Sequence, residues 1–147
     1  RNKVKYLLRM KNCIMIESLD SWRLAKTINK RAKKNKRKIP VLVEVNVSGD
    51  DSKFGIKPEN TVDFVSRAVS LDNIDIKGLM TLAPYLENPE EARPYFQQLA
   101  GLRDKINEKG INITELSMGM TNDYQIAIEE GATIIRVGTG IFGEREY

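Results

Sequence analysis

The chain contains no histidine among its 147 residues. That absence removes Ser-His-Asp triads, Cys-His dyads, HExxH zinc sites and imidazole general bases together. Cysteine is nearly absent too. Cys13 stands alone, which excludes an internal disulfide and leaves a transition-metal site almost without ligands. A single thiol of this kind reads as a small apolar residue rather than a nucleophile, and it fits a reducing compartment, the cytoplasm. No apolar run approaches the length that crosses a bilayer. The opening RNKVKYLLRMKN is polar and basic, so no secretory leader is expected there. Internal repeats and low-complexity linkers are also lacking. Any chemistry must rest on carboxylates, lysine, arginine, hydroxyls or a borrowed cofactor.

What is present describes one modest globular domain. The apolar fraction is 41% and the charged fraction 30%, ordinary values for a chain long enough to bury its own core. The net charge of +4 is concentrated locally: Lys30, Arg31, Lys33, Lys34, Lys36, Arg37 and Lys38 crowd one stretch. Such a run can attract nucleic acid. It also closes a predicted helix, where cations complement the negative end of the dipole, and no aromatic residue is interleaved for base stacking. We read it as a solvated helix end. Neither a nucleic-acid nor a membrane partner is expected.

Strand and helix signals alternate. Cys13–Glu17 reads as a short buried strand, and Asp20 or Ser21 then caps a helix to about Lys34 with Leu24, Ile28 and Ala32 on one face. Pro40–Val47 is the clearest strand. Val41, Val43, Val45 and Val47 share one of its faces; Leu42, Glu44 and Asn46 share the other. Pro58 suits the first turn of the next helix, with Val62, Val65 and Val69 inward. Ile74–Thr81 is a third strand. Asn88-Pro89-Glu90-Glu91 opens a helix whose stripe is Ala92, Tyr95, Phe96, Leu99, Leu102 and Ile106, ended by Gly110. Leu116–Met118 is a fourth strand. Thr121 or Asn122 caps a helix to Glu130, and Thr133–Gly138 is the fifth strand. A helical stub over Lys3–Arg9 precedes them all. Strict alternation predicts an α/β fold with a parallel sheet and right-handed crossovers.

Two segments carry the chemistry. Ser117-Met118-Gly119-Met120-Thr121-Asn122-Asp123 and Arg136-Val137-Gly138-Thr139-Gly140 each put glycine and hydroxyl residues just after a short apolar run. A phosphate needs that arrangement, because glycine lets backbone N–H groups approach and Ser or Thr adds a donor. In a barrel, phosphate commonly sits at the C-terminal rim between the last strands. Polar residues inside otherwise apolar strands are the second signal. Glu44, Asn46 and Arg136 would point inward near that rim, with Glu44 and Arg136 as a candidate salt bridge. Alone, these features leave a phosphosugar enzyme on a similar barrel, or a basic interaction module built on Lys30–Lys38, as alternatives.

ELSMGMTNDYQIAIEEGATIIRVGTGIFGER resembles the closing segment of the YggS/PROSC-type pyridoxal phosphate homeostasis proteins, relatives of the alanine racemase N-terminal barrel. VLVEVNVSGDDSKFG, KGLMTLAP and PEEARPYFQQL fit the same family, as do NKVKYLLRM and IESLDS at the opening. Glu17 departs from it: many members have His before Ser-x-Asp. The resemblance implies a (β/α)8 TIM-type barrel that binds pyridoxal 5′-phosphate and serves cofactor homeostasis and amino-acid balance, without established turnover. An amino-acid racemase-like enzyme is the alternative. It would need a second acid/base, normally a tyrosine from a further domain. By the same resemblance, residues 1–147 form a single partial barrel carrying the last five strands, with Tyr147 near a natural C-terminus. The first three strands and the Schiff-base lysine would lie upstream. Ser117 would donate to the cofactor phosphate, Gly138 and Thr139 would add backbone and hydroxyl donors, and Arg136 would face the pyridine nitrogen. Asn46 and Met80 would line the pocket. Lys53, in the N-x-S-G-x-x-x-K-x-G segment, reads as a solvated loop lysine with a reactive role as the alternative. An arginine there disfavours a protonated ring and makes it a poorer electron sink. Open edge strands would favour self-association of such a partial barrel.

Overall fold

The computed structural model describes residues 3–50 and 52–144; Arg1, Asn2, Asp51, Arg145, Glu146 and Tyr147 lie outside them. Five parallel strands form one sheet in sequence order, β1 (Ile16–Leu19), β2 (Ile39–Glu44), β3 (Ile74–Met80), β4 (Glu115–Met120) and β5 (Ile134–Arg136). The connections carry helices α2 (Trp22–Lys34), α3 (Pro58–Ala68), α4 (Arg93–Glu108) and α5 (Tyr124–Glu129). Short helices α1 (Val4–Leu7) and α6 (Thr139–Phe142) stand at either end, and a 3-10 turn at Pro89–Ala92 leads into α4.

Local chemistry explains most of these boundaries. Ser21 caps α2 by accepting a hydrogen bond from the Leu24 N–H at 3.3 Å. Asn88 does the same for Glu90 at 3.2 Å, so the Asn-Pro signal starts the 3-10 turn rather than α4 itself. Two inward faces differ from those expected from the sequence. In α2 the buried set is Ala25, Ile28 and Ala32, with Leu24 half-buried, because small alanines let the helix lie close on the sheet. In α3 it is Thr61, Val65 and Ala68, while Val69 is 46% exposed. Thr61 tolerates full burial because its hydroxyl donates to Lys57 O at 3.0 Å. The first strand starts at Ile16 rather than Cys13, since residues 13–15 run on from the α1 segment, which Arg37 fastens. Its guanidinium donates to Leu8 O, Met10 O and Cys13 O at 3.2, 3.1 and 2.6 Å. Arg37 therefore leaves the solvated basic run and becomes a structural residue.

The valine face of β2 joins Ile28, Val65, Phe96, Leu99 and Ile106 in one core against the helices. Leu42 and Met80 are buried but lie on the opposite face of the sheet. That face is concave. Glu17 on β1 and Ser117 on β4 are hydrogen bonded at 2.7 Å. Three inter-strand steps of about 4.8 Å would separate those strands by roughly 14 Å in a flat sheet, so the sheet must curl to bring them together. The result is a curled half-barrel with its helices outside.

Candidate functional site

The parallel register builds a row across the concave face. Glu44 pairs with Met80, Met80 with Ser117 and Ser117 with Ile134. Arg136 lies two residues beyond Ile134 on the same face and opposite Met120. Its Nη1 donates to Ser117 Oγ at 2.6 Å and its Nη2 to Thr81 O at 2.7 Å. Thr81 is itself tied to the neighbouring strand end by donating to Val45 O at 2.7 Å. The guanidinium is thus braced against β4 and the end of β3. Burial depresses the Arg136 pKa, while the charges of Glu17, Asp123 and Glu44 oppose that. An arginine so displaced stays charged. Glu44 acts on Arg136 through space, and the Arg136 donors go to Ser117 and Thr81 rather than to a Glu44 salt bridge. Burial raises the Glu44 pKa, Asp20 adds to the rise, and Arg136 counters it.

At the rim the β4–α5 and β5–α6 turns meet. The Thr139 hydroxyl donates to Thr121 Oγ1 at 3.1 Å, and the Gly140 N–H donates to the same oxygen at 3.2 Å. Thr121 is half-buried; Thr139 and Gly140 are exposed. The β4–α5 turn is held by Asp123, whose Oδ1 accepts the Met120 N–H at 2.7 Å. Spent on that bond, the Asp123 side chain does not cap α5, and the helix begins at Tyr124. Gly119 makes the reversal possible. Its φ is +89°, and a Cβ there would lie 2.5 Å from Ala127 Cβ and 3.0 Å from Tyr124 Cα.

The sequence-predicted residues separate into four groups. Ser117 and Arg136 are joined on the concave face, below the rim. Thr139 is at the rim with Gly138, but its side-chain partner is Thr121, not Ser117. Met80 is buried in the row between Glu44 and Ser117. Asn46 is buried and serves the β2–α3 loop. Its Nδ2 donates to Asp50 O and Lys53 O at 2.8 and 3.3 Å, and its Oδ1 accepts from Ser48 at 2.9 Å. Lys53 is exposed. Thr121 and Glu17 were missed as site residues. Thr121 was visible as a second hydroxyl in SMGMT, but nothing in the sequence chooses between it and Ser117. Glu17 was visible as a carboxylate in a buried strand. Among the described residues no cluster of three or more potential metal ligands exists.

Arg136 below a rim of hydroxyl and backbone N–H groups, at the C-terminal ends of adjacent parallel strands, has the layout of a (β/α)-barrel sheet. The family model for the alanine racemase N-terminal domain matches residues 4–146. The chain belongs to that family. It is 51% identical over 147 residues to the pyridoxal phosphate homeostasis protein of Aquifex aeolicus, covering 99% of this chain and 64% of the relative. The human protein of the same name is 36% identical over 155 residues, covering 100% and 56%. The chain thus spans less than two thirds of the length of these curated relatives. Among solved structures, PipY of Synechococcus elongatus with pyridoxal phosphate bound superposes with a TM-score of 0.86 at 31% identity, covering 97% of this chain and 66% of PipY.

Proposed function

We propose that the concave face binds pyridoxal 5′-phosphate and that the protein serves cofactor homeostasis and amino-acid balance. The observation that carries this reading is the meeting of Thr121, Thr139 and Gly140 at the C-terminal ends of the same two strands that carry the Ser117–Arg136 pair. The donor set fits the group. A phosphate dianion takes hydroxyl donors, and the rim offers the Thr121 hydroxyl, whose hydrogen is left over because its oxygen accepts from Thr139 and Gly140. In this assignment Thr121 takes the hydroxyl role first read for Ser117, whose oxygen is already engaged. Gly138 lets the backbone approach, and Met80 floors the pocket. Asn46 shapes the adjoining loop. Arg136 uses two donors on protein atoms and keeps the remaining N–H groups for a ring nitrogen. As a pure donor it holds that nitrogen unprotonated. When bound, the cofactor supplies an aldehyde that condenses with amines and a ring that withdraws electrons. The names of the Aquifex and human relatives and the cofactor bound in PipY support this reading over a racemase.

The position of β5 at the edge of the sheet, paired only with β4, supports further strands completing the barrel around the site. The test is titration of the purified protein with pyridoxal phosphate, followed by cofactor absorbance and fluorescence. Saturable binding weakened by Thr121→Val and by Arg136→Gln is expected, with Lys30→Glu on α2 without effect. Binding that neither site variant changes would refute the assignment.

A further inference from the structure

The concave face carries a carboxylate that phosphate binding does not require. Glu17 sits on β1, the far side of the curl from β5. Its Oε2 accepts the Ser117 hydroxyl at 2.7 Å, and the same Ser117 oxygen accepts Arg136 Nη1 at 2.6 Å. The chemistry of the ends fixes the direction of this relay. A carboxylate accepts and a guanidinium only donates, so the Ser117 hydrogen faces Glu17 and its lone pair faces Arg136. Ser117 is 0% exposed, which leaves water no place to compete. With its hydrogen given to Glu17, Ser117 has none to give a ligand. An anion approaching Arg136 would also meet the Glu17 carboxylate beside it and the Glu44 carboxylate in the same row. A neutral acceptor would meet no such repulsion. The rim differs: Thr121, Thr139 and the Gly140 N–H are uncharged.

We propose that Glu17 sets the polarity of the site, closing the Arg136 floor to phosphate and leaving the Thr121–Thr139–Gly140 rim as the phosphate end. Glu17 is a positioning residue acting through Ser117. The proposal rests on the anion-site reading above, but its test needs no cofactor. Calorimetric titration with inorganic phosphate is run on wild type, Thr121→Val, Glu17→Gln and the Glu17→Gln/Arg136→Gln pair. Glutamine keeps a carbonyl oxygen for Ser117 and removes the charge, exchanging the other carboxylate oxygen for an NH2 group. In Glu17→Gln, phosphate affinity is expected to rise about tenfold, the effect of removing a like charge beside the guanidinium. That gain should vanish in the pair with Arg136→Gln. A purely structural Glu17 would lower the melting temperature and leave phosphate affinity within twofold of wild type, which would overturn the proposal. If Glu17→Gln melts, Glu17→Met, of similar length and uncharged, must show the same gain. A missing Thr121→Val effect would strike the rim assignment; the Glu17→Gln gain still decides the polarity.

Discussion

Thr121→Val is the sharpest perturbation of the rim. The Thr121 oxygen accepts from the Thr139 hydroxyl and the Gly140 N–H at 3.1 and 3.2 Å, so its own hydrogen is available to an anion. Valine keeps the branched shape and removes that donor. A hydrogen bond to a charged acceptor contributes about 1.5–3 kcal/mol, which corresponds to roughly ten- to hundredfold in affinity for pyridoxal phosphate. Ser117→Ala is the informative companion. The Ser117 hydroxyl is committed to Glu17 and Arg136, so its loss should cost stability and change phosphate affinity by less than about threefold. The assay is fluorescence titration with pyridoxal phosphate, with inorganic phosphate as competitor. Reversal of the two effects, with Ser117→Ala the larger, would refute the placement of the phosphate at the rim.

Three further outcomes are expected. The Glu44 carboxyl has a folded pKa above its usual value of 4.5, chiefly through burial, so the folded state holds its proton longer than the unfolded chain. Stability then falls as pH rises from the unfolded pKa through the folded one. In Glu44→Gln, the melting temperature relative to wild type should therefore be more favourable at pH 7 than at pH 4; thermal denaturation at both values checks this. Gly119→Ala, which forces a side chain to φ +89° against Ala127, should lose about 1–3 kcal/mol of stability by urea unfolding and weaken cofactor binding with it. Phe96→Ala removes a fully buried ring and should cost about 3–5 kcal/mol by the same measurement, while folded molecules keep their phosphate affinity.

The alternation of strands and helices was legible because its signals are local. β-Branched runs, the Ser21 and Asn88 caps and the prolines after Lys57 and Asn88 act over a few residues. The glycine- and hydroxyl-bearing turns after β4 and β5 were legible for the same reason. Partner choice was not. Ser117 and Glu17 are 100 positions apart, and only the curl of the sheet sets one opposite the other. Ser117 and Thr121 are both hydroxyls four positions apart on one strand end. Which of them meets Thr139 depends on where β5 pairs with β4, and that register shifts between Ser117 and Met120. Arg37 looked like its cationic neighbours until the fold laid three backbone carbonyls beside it.

The most direct measurement is a crystal structure of the protein grown with pyridoxal phosphate. The phosphate is expected at the rim, within hydrogen-bond distance of Thr121 Oγ1, with the ring nitrogen facing Arg136. Phosphate lying against Arg136 and Ser117, or cofactor found only outside the concave face, would contradict it.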